Sequence, residues 1–191
     1  MAYKMARSGK PIADANTQPY RPEGAFVGNI LLRNEWDALY YNLVTSITGN
    51  LYFEGNDDIT LPNLVSVSGA LRGSASGALE TFSAPALVSV GSLFLDGTLM
   101  PRLASVALPV LATISSSLQV YVCRAFTSTS LTMPALTMVG AGNGGAVEFL
   151  QNRTVGVNGF TNAAAHALVA QLAGPPAHDP VTNVLISDND P

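Results

Sequence analysis

Apolar residues recur along this chain in short bursts, each ended by proline or glycine, and the bursts fall into register when the chain is aligned on its prolines. The segments are "LPNLVSVSGALRG" from Leu61, "APALVSVGSLFL" from Ala84, "LPVLATISSSLQV" from Leu108 and "MPALTMVGAGNGGAVEF" from Met133. Their prolines, at 62, 85, 109 and 134, are spaced by 23, 24 and 25 residues. Two places after each proline stands a leucine (Leu64, Leu87, Leu111, Leu136), and three further on a β-branched residue (Val67, Val90, Ile114, Val139). A second apolar position follows at Leu71, Leu93, Leu118 and Val147 and opens an alternating stretch such as "LQVYV". Before each proline comes a further apolar pair, as in Leu79 and Phe82, Leu103 and Val106, or Phe126 and Leu131. Such a period, with several brief alternating stretches per copy, predicts a mainly β chain coiled on itself as a solenoid.

The stretch "GNLYFEG" at 49–55 differs at two positions from the protease site ENLYFQG used to remove purification tags. It reads as part of the fold. "NLVTSITGNLYFEG" from Asn42 aligns with "NLVSVSGALRG" from Asn63, with one extra residue before the β-branched position. Ile47 then corresponds to Val67 and Leu51 to Leu71. In a solenoid these residues point inward and stack about 4.8 Å apart on their equivalents in the next turn. Five or six turns would make a rod of roughly 25–30 Å. Proline suits a corner that needs no ladder donor, and the glycines at 49, 69, 91 and 140 mark a second corner where positive φ is expected.

Solenoid ends expose unpaired backbone and core, so caps are expected. "NEWDALYYNL" places Trp36, Leu39, Tyr40 and Leu43 at helical spacing, with Asn34 as N-cap and Asp37 at N3, predicting a cap helix over 34–43. A second cap helix is predicted over 161–173, with Thr161 as N-cap, Ala165, Leu168, Val169 and Leu172 on one face, and Gly174 followed by two prolines as the stop. The tail "TNVLISDNDP" supplies one more apolar strand, expected to return along that helix.

The pattern Leu-Pro-x-Leu-x-x-Val-x-Gly-x-Leu resembles the receptor L-domain type of leucine-rich-like repeat over about residues 28–190. The resemblance implies a right-handed β-helix with helical caps and a non-catalytic role in binding or wall architecture. It carries over no active site. The chain departs from the family pattern in having no cysteine-bonded caps and no apolar leader, as expected for a bacterial or phage-encoded variant.

Composition narrows the partners. Of 191 residues 48% are hydrophobic, enough for a real core, but only 12% are charged against an average of about 25%. So few charges favour burial of surface against neighbouring protein subunits, homo- or hetero-oligomeric. With a net charge of −4 and no basic cluster on a folded segment, no nucleic-acid partner is expected, and no apolar run reaches membrane-spanning length. Lys4, Arg7, Lys10 and Arg21 lie in a proline-bearing segment, residues 1–25, that reads as an extended arm suited to gripping a neighbouring subunit; the solenoid domain is placed at 26–191.

Materials for catalysis are scarce. The lone Cys123 in "LQVYVCRAF" allows no intrachain disulfide and reads as a core thiol. His166 and His178 are the only histidines; His166 falls off the apolar face of the second cap. "GAGNGG" at 140–145 lacks the lysine of a phosphate loop and reads as a wide turn. The acidic turns at 54–58 and 188–190 match no calcium loop, and Asn152-Arg153-Thr154 is a formal glycosylation acceptor. No cofactor, metal or catalytic residue is assigned. The leading expectation is therefore a non-catalytic protein that packs into or decorates a larger assembly, such as a virion, through its arm and solenoid faces. The alternative is a bacterial cell-surface recognition module binding protein or glycan on a sheet face, recognisable by a contiguous exposed aromatic patch there, which the few aromatic residues would keep small. A third is a β-helical carbohydrate-active enzyme.

Overall fold

The computed structural model describes residues 21–54, 57–73, 78–123, 125–127, 129–140, 146–150 and 167, with the backbone of 183–187. The first turn contains β1 (Glu23–Val27) and β2 (Ile30–Leu32) and leads into helix α1 (Glu35–Tyr40). Then come β3 (Leu43–Thr48), β4 (Leu51–Phe53), β5 (Ile59–Thr60), β6 (Ser66–Gly73), β7 (Thr81–Ser83), β8 (Ser89–Asp96) and β9 (Ser105–Ala107). The series ends with β10 (Thr113–Ile114), β11 (Leu118–Tyr121), β12 (Leu131–Thr132), β13 (Met138–Val139), β14 (Ala146–Leu150) and β15 (Asn183–Ser187).

Among the described residues these strands form an 11-stranded sheet, with the path β1-β3-β6-β8-β11-β14-β15, and a 4-stranded sheet ordered β12-β9-β7-β5. Every strand pairs in parallel with its equivalent one turn away. Parallel strands joined by crossovers of this kind coil right-handedly. The molecule is a right-handed β-solenoid with short helical elements. No described helix is long and apolar enough to cross a membrane.

Register between turns follows the apolar repeat. Phe26 pairs with Ile47, Ile47 with Val67, Val67 with Val90, and Ile114 with both Val90 and Val139. The second column runs Ile30, Leu51, Leu71, Leu93, Leu118, Val147. Leu64, Leu87, Leu111 and Leu136 are buried with them, and all belong to one core. From the opposite sheet Ile59, Phe82 and Val106 close that core, with the Phe53 and Phe82 rings stacked at 4.4 Å. A one-residue slip in any turn would carry its leucines to the solvent side, so the hydrophobic effect holds the register.

A polar ladder runs beside the core at the glycine corner. Asn29 Oδ1 accepts from the Asn50 backbone N–H at 2.8 Å, and Asn50 Oδ1 accepts in turn from the Ala70 N–H at 2.8 Å. The glycines here serve mainly close approach. Gly49 and Gly140 do have positive φ, 149° and 80°, but Gly69 and Gly91 do not. A Cβ on Gly91 would instead stand 2.6 Å from the Gly69 carbonyl oxygen of the preceding turn.

Several sequence expectations are corrected. Strand β1 takes up Glu23–Ala25, so paired structure begins inside the segment read as the arm; Arg21 is exposed just before it, while Lys4, Arg7 and Lys10 lie outside the described residues. Strand β15 pairs in parallel with β14 as a further turn of the solenoid, Val184 beside Val147. The long sheet therefore has seven successive layers along its path, more than the five or six expected. Helix α1 is shorter than 34–43, although Asn34 caps it as predicted, accepting from the Asp37 N–H at 3.0 Å.

Its inward face is also different. Trp36 and Leu39 are exposed and Tyr40 is half-buried; Ala38 is buried, and Tyr41 packs on the core with its ring edge-on to Phe26. A helix of fewer than two turns is oriented by its anchored ends, here Leu32 and Val44, more than by its own apolar stripe. Leu43 is exposed because the extra residue of this turn falls there. Counting three back from Ile47 reaches Val44, which is buried as Leu64 is three before Val67. Of the second cap, Ala167 is helical; Thr161, Ala165, Leu168, Val169 and Leu172 lie outside the described residues.

Candidate binding face

Along β4, β6, β8, β11 and β14 side chains alternate between core and exterior. The residue directly after the second core column therefore points outward in each turn. These residues pair as one row: Leu31, Tyr52, Arg72, Phe94, Gln119, Glu148. At about 4.8 Å per turn, the distance from Tyr52 to Glu148 is about 19 Å. Two residues earlier on the same face stand Ala70 and Ser92, themselves paired, so the row rises above a shelf of small side chains.

Contacts along the row hold it in shape. The Arg72 guanidinium lies over the Phe94 ring, 4.6 Å from its centroid. Phe94 meets Tyr121 edge-on at 5.6 Å, and Gln119 Nε2 donates to Glu148 Oε2 at 2.9 Å. Tyr52, Phe94, Gln119, Tyr121 and Glu148 are half-buried and Arg72 is exposed. The face thus carries three half-buried rings, with Arg72 between Tyr52 and Phe94, and not a contiguous exposed aromatic patch.

Charge on the patch is unevenly matched. Asp96, paired with Tyr121 across the sheet, accepts from the Thr98 N–H at 2.9 Å and the Thr98 hydroxyl at 2.6 Å. Glu148 is held by Gln119. Arg72 makes no salt bridge among the described residues, where the ion pair is Arg33 with Glu54 at 3.3 Å. A cation stacked on a ring and lacking a carboxylate is pre-positioned for an anionic group on a ligand.

A second concavity lies between α1 and the following turn. Trp36, Leu39, Asn42, Asp58, Thr60 and Pro62 line an open groove of about 430 Å³. Asn42 Oδ1 is buried there without a hydrogen-bond partner among the described residues. The carboxylates of the 54–58 turn already have structural work. Glu54 accepts from Arg33 Nε, Asp57 from the Glu35 N–H at 3.4 Å and Asp58 from the Thr81 N–H at 2.9 Å. Among the described residues no three His, Cys, Asp or Glu side chains gather as a metal site.

Cys123 is fully buried, and its Sγ donates to the Tyr121 carbonyl at 3.4 Å. Burial pushes the thiol up to about 12, a contribution from Asp96 adds to the rise, and a hydrogen bond with the Gly97 backbone opposes it. A thiol so held is protonated and unreactive at neutral pH. Beside it Val122 adopts φ 51°, a left-handed conformation rare for a β-branched residue. Gly97 provides the room, since a Cβ there would stand 2.5 Å from Cys123 Cα.

The twelve core positions assigned from the repeat are all buried, but they build the scaffold and do not form a site. His166, His178, residues 141–145, Asn152 and the turn at 188–190 lie outside the described residues. The outward row was missed at the sequence level, although its signal was present: one fixed place in successive repeats holds Tyr52, Arg72, Phe94, Gln119 and Glu148. No protein-family model matches the chain, and neither a curated protein nor a solved structure is found to be similar to it.

Proposed function

We propose that this protein is a non-catalytic binding module whose ligand lies on the outward row of the long sheet. The observation that carries this reading is the Arg72–Phe94 stack, flanked in register by Tyr52 and Gln119. Half-buried rings on paired strands present their faces at little entropic expense, and rigid strands hold them better than loops would. The likeness of the Leu-Pro-x-Leu repeat to receptor L-domains supports the same reading by analogy of fold, which does not itself assign a function. The test is a mixed array of immobilised glycans and peptides. Wild type is expected to bind a ligand that the double variant Arg72→Ala/Phe94→Ala, folded by circular dichroism, no longer retains. Equal retention by both proteins contradicts the reading.

A second reading, assembly with other subunits at a particle or cell surface, is favoured by one observation. Val65 and Val88 are 42% and 43% exposed and stack in successive turns, with the Val88 N–H donating to the Val65 carbonyl at 2.8 Å. Such an apolar corner gains by burial against a neighbour. On this reading the native mass exceeds that of the 19.8 kDa chain, and Val65→Asp/Val88→Asp or removal of residues 1–20 lowers it. A monomer in every case contradicts it.

A further inference from the structure

We infer that the ligand of the outward row is a linear, carboxylate-bearing polysaccharide running along the solenoid axis, about one sugar per turn. This rests on the binding reading above and names its ligand class. Three features of the row support it.

The first is charge. Asp96 and Glu148 are hydrogen-bonded only by neutral partners, Thr98 and Gln119, and keep their charge, whereas Arg72 has no salt-bridge partner among the described residues and is the place on the row for an anionic group. The charge that complements the free position is negative. A guanidinium over the Phe94 ring keeps N–H groups for a ligand, and these match the two oxygens of a carboxylate.

The second is spacing. The row places one side chain per turn, about 4.8 Å apart, close to the length of one pyranose unit in an extended chain. Tyr52 and Phe94 stand two turns apart with Arg72 between them. One sugar would meet the Tyr52 ring, and the next would meet the guanidinium stacked on Phe94. An extended peptide advances about 3.3 Å per residue and falls out of step with this row.

The third is the shelf. Ala70 and Ser92 are too small to obstruct a chain lying against the raised row, and the Ser92 hydroxyl and the Gln119 amide add polar groups for sugar hydroxyls. Ring faces that contact the C–H side of a sugar while amides and hydroxyls take its edge suit an amphipathic ring ligand.

The experiment is isothermal titration of the full chain with oligogalacturonates of two to eight sugars, with neutral cello-oligosaccharides and oligoglutamate of matching length as comparisons. Oligogalacturonate affinity is expected to rise with length to about four sugars and then level off, one for each of Tyr52, Arg72, Phe94 and Gln119 before the Glu148 carboxylate is reached. It should fall at least tenfold in Arg72→Ala and in Phe94→Ala, less in Arg72→Lys, and weaken with added salt. Neutral oligosaccharides should bind at least tenfold more weakly. Equal affinity for neutral chains overturns the carboxylate assignment, and tighter binding of oligoglutamate overturns the glycan in favour of an acidic protein. Absence of saccharide binding overturns the inference, while array ligands that still depend on Arg72 and Phe94 would leave the binding reading intact. Oligogalacturonate binding that neither substitution alters overturns both.

Discussion

Gly69 lies so close beneath Gly49 that a methyl group on Gly69 would stand 2.6 Å from the Gly49 carbonyl oxygen and collide with Asn50 Oδ1. Neither obstacle can move without disturbing the ladder between turns. Gly69→Ala is therefore expected to destabilise the fold by about 1–3 kcal/mol, the usual range for overpacking. Gly24, with positive φ but open space around it, should lose only about 1 kcal/mol on the same change. Urea midpoints of the two variants decide it; a Gly24→Ala effect larger than that of Gly69→Ala contradicts the close-packing account.

Asn50 joins three successive turns: its backbone N–H donates to Asn29 Oδ1, and its own Oδ1 accepts from the Ala70 N–H. Asn50→Ala leaves the part-buried Ala70 N–H without its acceptor, and the expected loss is about 1–3 kcal/mol. Amide hydrogen exchange should quicken at Ala70 first. Unchanged protection there would mean that the ladder adds nothing to stability.

Cys123 makes stability depend on alkaline pH. Its folded value, about 12, lies above the ordinary thiol value of about 9, so the folded state holds the proton more tightly. This contribution is fully present below pH 9 and is lost as pH rises toward 12, with a slope of up to about 1.4 kcal/mol per pH unit. Cys123→Ala should flatten that part of the stability profile relative to wild type. At neutral pH the native thiol should resist alkylation until urea unfolds the chain; rapid labelling of the folded protein contradicts the burial assigned to it.

Val122 at φ 51° is strained, and left-handed backbone costs a residue with a Cβ roughly 1–2 kcal/mol. Val122→Gly is expected to be neutral or to raise the melting temperature, unlike most Val→Gly changes in strands. A loss above about 1 kcal/mol would show that its side-chain packing outweighs the strain.

Most of the fold was readable because one constraint, burial of the same positions in every turn, acts on every copy. Val67, Val90, Ile114 and Val139 mark that constraint plainly, and their pairing follows from it. The first turn was harder, since "GAFVGNILL" lacks the proline and the leucine two places beyond it, yet Phe26 and Ile30 occupy the same columns. The orientation of α1 was not readable from its stripe, because six residues are positioned by what precedes and follows them. The outward row escaped attention for a different reason. Tyr52, Arg72, Phe94 and Gln119 share no residue type, so the repeat shows them as a row only when it is read for its outward places as well as its apolar ones.

The exposed Arg72–Phe94 contact should contribute only about 0.5–1 kcal/mol to stability, so its substitutions can report on binding without unfolding the chain. The most direct measurement of the account is a side-by-side comparison of two double variants, Arg72→Ala/Phe94→Ala on the sheet face and Trp36→Ala/Leu39→Ala in the helix groove, against the strongest ligand found on the array. The account predicts that the sheet-face variant loses at least tenfold in affinity while the groove variant binds as wild type does. Loss confined to the groove variant, with the sheet-face variant unaffected, would place the site at α1 and contradict the central claim.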